Sequence, residues 1–139
     1  NTFDNITAKL AEASQILSKA DKRLLVENTY EPPELMQRIL NELPDCGFTL
    51  DVGHTLISHS SPIDFLYMFP DRIEHLHLHD NMGGDREALH DKHLPPGAGV
   101  APWDEIATAL QEIGYQGTAT FECMPNPSWF ARWRGQLGV

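Results

Sequence analysis

Apolar and polar positions alternate along this chain in two rhythms that take turns, one near 3.6 residues and one of two. Ile6, Leu10, Ala13, Ile16 and Leu17 have the spacing of an amphipathic helix with one buried stripe over residues 3–20, and Asp4 stands where it can cap that helix. Arg23–Thr29 predicts a short buried strand whose end turns polar. Pro32 and Pro33 suit a helix start, with Leu35, Ile39 and Leu43 on its apolar side up to Pro44. Phe48–Gly53 reads as a second strand, again running from apolar residues into Asp51, Gly53 and His54. Ser61 and Pro62 open a further helix, which faces in through Ile63, Leu66 and Phe69 and closes at Pro70. Ile73–Asp80 is the third strand, Trp103–Ile113 a helix stopped by Gly114, Gly117–Cys123 the fourth strand, and Pro127–Gln136 a last helix. A helix followed by four strand-and-helix units is the order of a parallel sheet with crossover helices, an α/β fold.

The phase of the strands carries the functional signal. Leu76 and Leu78 point to one side of the third strand; His75, His77 and His79 point to the other. Leu25, Glu27 and Thr29 share a face of the first strand, Thr49 and Asp51 a face of the second, and Thr118, Thr120 and Glu122 a face of the fourth. Each strand therefore presents a metal-competent side chain near its C-terminal end, where parallel α/β folds build their sites. A lone acid there is ordinarily a helix cap or a turn residue. Acids in matching phase, joined by a histidine, suit an oxygen-rich site with one nitrogen, for Mn2+, Mg2+, Co2+ or Zn2+ rather than a closed structural zinc site. A cation also keeps clustered carboxylates ionised that would otherwise repel one another.

Composition narrows the classes. The chain has 139 residues, enough for one domain with its own core over 1–139; 41% are hydrophobic and 22% charged, ordinary for a globular protein. Twenty acids against 10 bases give a net charge of −10, which weighs against a broad nucleic-acid surface. No run approaches the length of a membrane span and no signal peptide opens the chain. Cys46 and Cys123 lack metal or redox spacing, and with no leader this predicts reduced thiols in a cytoplasmic protein. The chain starts at Asn1 without a Met, so its natural start is expected elsewhere.

A Gly- and Pro-rich loop from Asn81 to about Ala101 is long for a compact domain and holds Asp91-Lys92-His93 before Gly97-Ala98-Gly99. Together with His54, three residues after Asp51, Asp91 and His93 are candidates for a second metal or for substrate. His59 and His90 read as surface residues, and Trp103, Trp129 and Trp133 as packing.

Val26-Glu27-Asn28-Thr29, Asp51-Val52-Gly53-His54, His77-Leu78-His79-Asp80, Asp91-Lys92-His93, Gly97-Ala98-Gly99 and Phe121-Glu122 occur in the order and spacing of the xylose isomerase-like TIM barrel superfamily. The chain resembles that superfamily from about Arg23 to Pro125. The resemblance implies a divalent metal held by Glu27, Asp51, His77 and Glu122, with Glu27 and Glu122 also exchanging a proton on the carbon beside a sugar's carbonyl. It implies that His54 binds substrate or a second metal, and that Asp91 and His93 match further zinc ligands of the superfamily's type IV AP endonucleases. His79 stands where those endonucleases have Asn, and Asp80-Asn81 is typical of the isomerase-like members. The arginine that some ketose epimerases carry soon after this strand has no equivalent here. Beside His77, His75 is expected one layer deeper in the barrel and His79 at the rim, facing substrate or the Asp91–His93 loop.

The superfamily barrel has eight strands and this chain predicts four, about half of a TIM (β/α)8 barrel and by its motifs the C-terminal half of a longer one. Three readings follow. One is a metal-dependent isomerase or epimerase of a sugar or sugar phosphate. Another is an AP endonuclease-like zinc phosphodiesterase. The third is a non-catalytic half-barrel that self-associates as a homo-oligomer to cover its open edges.

Overall fold

The computed structural model describes residues 2–84, 91–124 and 126–138. Its elements run α1 (Thr2–Ser18), β1 (Leu25–Glu27), α2 (Pro33–Glu42), β2 (Gly47–Asp51), α3 (Val52–Ile57), α4 (Pro62–Met68), β3 (Ile73–Leu78), α5 (Trp103–Glu112), β4 (Thr118–Phe121) and α6 (Pro127–Leu137). The strands form one parallel sheet in the order β1-β2-β3-β4, the arrangement of half a (β/α)8 barrel. None of the described helices is long and apolar enough to cross a membrane.

Burial follows strand position. Every residue of the interior strand β2 is buried, whereas Thr118, Ala119 and Thr120 of the edge strand β4 are exposed. The core lies between the sheet's convex face and the helices: Phe48, Leu50, Leu76 and Leu78 meet Met36 and Leu40 of α2, Phe65 and Leu66 of α4, and Trp103, Ile106 and Leu110 of α5. At the start of β3 the register slips, with Phe48 opposite Ile73 but Thr49 opposite His75. This irregularity lets Ile73 join the core although simple alternation would put it with the histidines. Prolines start α2 and α4 as expected, and side chains cap two helices: Ser61 accepts from the Ile63 amide ahead of α4, and Asn126 from those of Ser128 and Trp129 ahead of α6.

The structure departs from the sequence expectation in three places. The second strand stops at Asp51, and Val52–Ile57 is a short helix capped by the Asp51 carboxylate, which accepts from the His54 amide. Asp4 lies in the first turn of α1 rather than at its cap. The apolar stripe of α1 does not face the core: Ile6 is 51% and Ile16 61% exposed, while Thr7 and Ser14 are buried. The tryptophans do pack, with Trp129 stacked on Trp133 and Trp103 edge-on to both.

Candidate metal and acid–base site

The ends of the strands bring the charged residues together on the concave face. Glu27 is the last residue of β1 and Asp51 the last of β2, which lies opposite His77 of β3. Glu122 follows β4 directly, its amide held by the Leu78 carbonyl. The Nδ1 atom of His77 stands 3.2 Å from Glu27 Oε1, 3.3 Å from Glu122 Oε1 and 3.6 Å from Asp51 Oδ2. That nitrogen is buried and has no hydrogen-bond partner.

Asp51 is fully buried. Burial alone would raise its carboxyl, but His77 and His79 beside it, and then His54, outweigh that and hold it well below the usual carboxylate range. In turn Asp51 foremost, against the effect of burial and helped by Glu27 and Glu122, pushes the His77 imidazole up to about 9. Protons thus sit where the donor set could accept a divalent cation. Three carboxylates and one imidazole, around a buried nitrogen with no other partner, fit such an ion by number and type of donor.

A second group adjoins this one. Donor atoms of His54, His79, Asp91 and His93 all lie within 4.8 Å of one another. His54 Nε2 is 3.2 Å from Asp91 Oδ2, and His93 Nε2 is 2.9 Å from the same oxygen. His93 takes a left-handed backbone conformation (φ 45°) and its ring stacks on that of His79, centroids 4.0 Å apart. His79 faces the Asp91–His93 loop, but it is fully buried rather than at an open rim, with Nε2 2.9 Å from Asp51 Oδ1. Burial works to lower its imidazole, and Asp51, Asp91 and Glu122 together raise it. Asp51 therefore touches both groups. His75 adds no donor to either group: it is hydrogen-bonded to the Thr118 and Thr120 hydroxyls, its ring lies edge-on to that of His77 with centroids 5.2 Å apart, and burial and the charge of His77 lower it. His59 is exposed, and His90 lies outside the described residues.

Sequence reasoning missed the groups that hold these side chains in place. Asn28, Asp80 and Asn81 are all buried. The Asn81 side-chain amide donates to the Gly53 carbonyl and to Asp91 Oδ1 and accepts from the Lys92 amide, which fastens the Asp91 loop to the start of α3. Gly53 is required by the His79 ring, since a Cβ there would lie 2.1 Å from it. The available signal was the pairing of Asp80-Asn81 with Gly97-x-Gly99: a Cβ on Gly99 would come within 2.3 Å of the Asp80 carboxylate.

Four parallel strands, each delivering a carboxylate or imidazole to one mouth, define half of a βα barrel with an acidic, histidine-bearing site at its C-terminal face. The chain belongs to the family described as Xylose isomerase-like TIM barrel, whose profile matches residues 1–135. It is 27% identical to an inosose dehydratase of Lacticaseibacillus casei over 74% of this chain and 38% of that protein. It is 37% identical to the D-psicose 3-epimerase of Enterocloster bolteae over 52% of this chain and 21% of that one. A solved D-tagatose 3-epimerase-like protein superposes with a TM-score of 0.83 at 25% identity, covering 98% of this chain and 55% of its own. The chain spans less than half the length of the curated relatives it matches.

Proposed function

We propose that this chain carries the metal and acid–base half of a divalent-metal-dependent isomerase or epimerase of a sugar or sugar phosphate. The observation that carries the reading is the convergence of Glu27, Asp51 and Glu122 on the unpartnered buried nitrogen of His77. The same four residues would hold Mn2+, Co2+, Mg2+ or Zn2+. A cation so held would act as a Lewis acid on neighbouring carbonyl and hydroxyl oxygens of the sugar. Glu27 and Glu122 come from opposite edges of the sheet and flank the site. One carboxylate takes the proton from the carbon beside the carbonyl, the bonding pair moving into the enediolate. The other, as the acid, returns a proton to carbon. Similarity to a dehydratase and to 3-epimerases supports proton transfer beside a carbonyl as the shared step.

The His54–His79–Asp91–His93 group favours a second reading, an endonuclease-like phosphodiesterase with several zinc ions. Metal analysis separates the two. Chelator-stripped protein reloaded with Mn2+, Co2+ or Zn2+ is expected to hold one tight ion per chain; two or more zinc ions would favour the phosphodiesterase, and none a non-catalytic role. With the barrel completed, proton–deuterium exchange at the α-carbon of free or phosphorylated ketoses tests the chemistry. Failure with all of them, with metal bound, would overturn the isomerase reading.

The chain is further proposed to be the C-terminal half of a longer barrel. Among the described residues both outer strands offer unpaired ladder groups, and Ala119 on β4 is exposed. In isolation the chain is therefore expected to self-associate. Light scattering that finds a monodisperse, folded monomer would count against edges that need a cover.

A further inference from the structure

Backbone pairing between β1 and β2 ends at Glu27 opposite Thr49, two residues before Asp51. On its other side Asp51 is still in register with His77 of β3. On the β1 side the gap is bridged by a side chain: Asn28 Nδ2 donates to the Asp51 carbonyl at 3.0 Å, and the Asp51 amide donates to Asn28 Oδ1 at 2.8 Å. Asn28 is 1% exposed. A carboxamide offers the same donor and acceptor as a peptide group, so this amide acts as one more rung of the parallel ladder. The backbone carbonyl of Asn28 then meets His54 Nδ1 at 2.9 Å. The other atoms near that nitrogen, Glu27 Oε1 at 3.5 Å and Asp51 Oδ2 at 3.7 Å, are acceptors as well. A backbone carbonyl only accepts, so this contact calls for a donor at Nδ1 and turns Nε2 to Asp91 Oδ2, 3.2 Å away and itself an acceptor, within the second donor group.

We propose that Asn28 is a positioning residue that sets the site twice over: its side chain fixes the end of β2 so that Asp51 meets His77, and its carbonyl orients the His54 ring through Nδ1, with Nε2 turned to Asp91, where a cation or substrate would be held. The assignment deepens the isomerase reading and rests on Asp51 and His54 being working groups of that site. Its first test does not depend on activity. In metal-free wild-type protein the Asp51 amide, which lies beyond the last β1–β2 backbone pair, is expected to be protected from hydrogen exchange to a degree comparable with the amides inside β2. An Asp51 amide that exchanges like an unpaired one would overturn the proposal without any variant.

The second test uses N28D, which keeps the acceptor for the Asp51 amide but sets a carboxylate against the Asp51 carbonyl, and N28A, which removes both contacts. Each is expected to weaken Mn2+ or Co2+ binding by about 10- to 100-fold, the usual effect of removing a group that orients a ligand. N28A is further expected to speed hydrogen exchange at the Asp51 amide relative to Leu50. Folded variants that bind metal within about twofold of wild type would show that Asn28 is only a structural residue. If wild-type protein binds no metal, the functional reading fails, while hydrogen exchange at the Asp51 amide still decides whether Asn28 fixes the end of β2.

Discussion

His77→Ala is expected to lower the affinity of this chain for Mn2+ or Co2+ by ~100-fold or more, beyond the loss typical of a group that merely orients a ligand. It should also erase a pH dependence that changes direction with metal. In the metal-free protein the His77 imidazole is raised from 6.5 to about 9, with Asp51 the leading cause. A raised folded-state pKa stabilises the fold fully below about 6.5, where both states carry the proton, and that contribution disappears as pH rises through about 9. Metal-free wild type should thus melt at progressively lower temperature across that window. Metal binding needs the neutral imidazole, so the ion displaces the proton, and affinity should rise about tenfold per pH unit up to that limit. Loaded protein should accordingly gain metal-dependent stabilisation as pH rises. Thermal melts with and without Mn2+ over this range check both slopes. A His77→Ala protein that retained the metal-dependent shift would remove His77 from the ligand set.

The convergence of His77 with three carboxylates was legible in the chain because strand alternation is a local property. Period two puts Glu27, Asp51, His77 and Glu122 on one face, and parallel pairing lines them up without any knowledge of the helices. What was not legible depends on contacts across the fold. The stripe of α1 carries a helical period, but period cannot say which neighbour a helix meets; here Thr7 and Ser14 are buried and Ile6 and Ile16 are not. Helix α3 is six residues long, too short for periodicity to declare itself, and its start is set by the Asp51 carboxylate. His79 shares the phase of His77, yet β3 ends at Leu78 and the chain turns to pair Asp80 with Leu94, which closes the loop over His79 and buries it. Asn28 and Asn81 act through a few side-chain hydrogen bonds to residues distant along the chain, and no repeat in the sequence marks such a role.

The other large effect is expected at Asp80, a buried acid that belongs to neither donor group. Its Oδ1 accepts from the Asn81 amide at 2.9 Å and the Ala101 amide at 3.0 Å; its Oδ2 accepts from the Gly97 amide and the Trp103 indole, both at 2.9 Å. One carboxylate thus gathers the loop that follows β3 and ties it to the start of α5. Asp80→Ala leaves these four donors facing a cavity, and at roughly 1–3 kcal/mol for each buried donor without a partner the loss should reach at least about 4 kcal/mol even if water recovers part of it. That is a large share of the roughly 5–15 kcal/mol that holds a domain folded. Asp80→Asn keeps the volume and one acceptor oxygen, but turns an NH2 group toward donors, and should lose about half as much. Urea unfolding monitored by tryptophan fluorescence measures both, since Trp103 is itself one of the partners. Hydrogen exchange locates the damage: the Gly97 and Ala101 amides should lose protection, while the Leu94 amide, bonded to the Asp80 backbone carbonyl, should keep it in the conservative variant. An Asp80→Ala chain with the urea midpoint of wild type would mean that the loop is held by its backbone contacts, such as the Val100 amide on the Asn81 carbonyl, and not by the carboxylate.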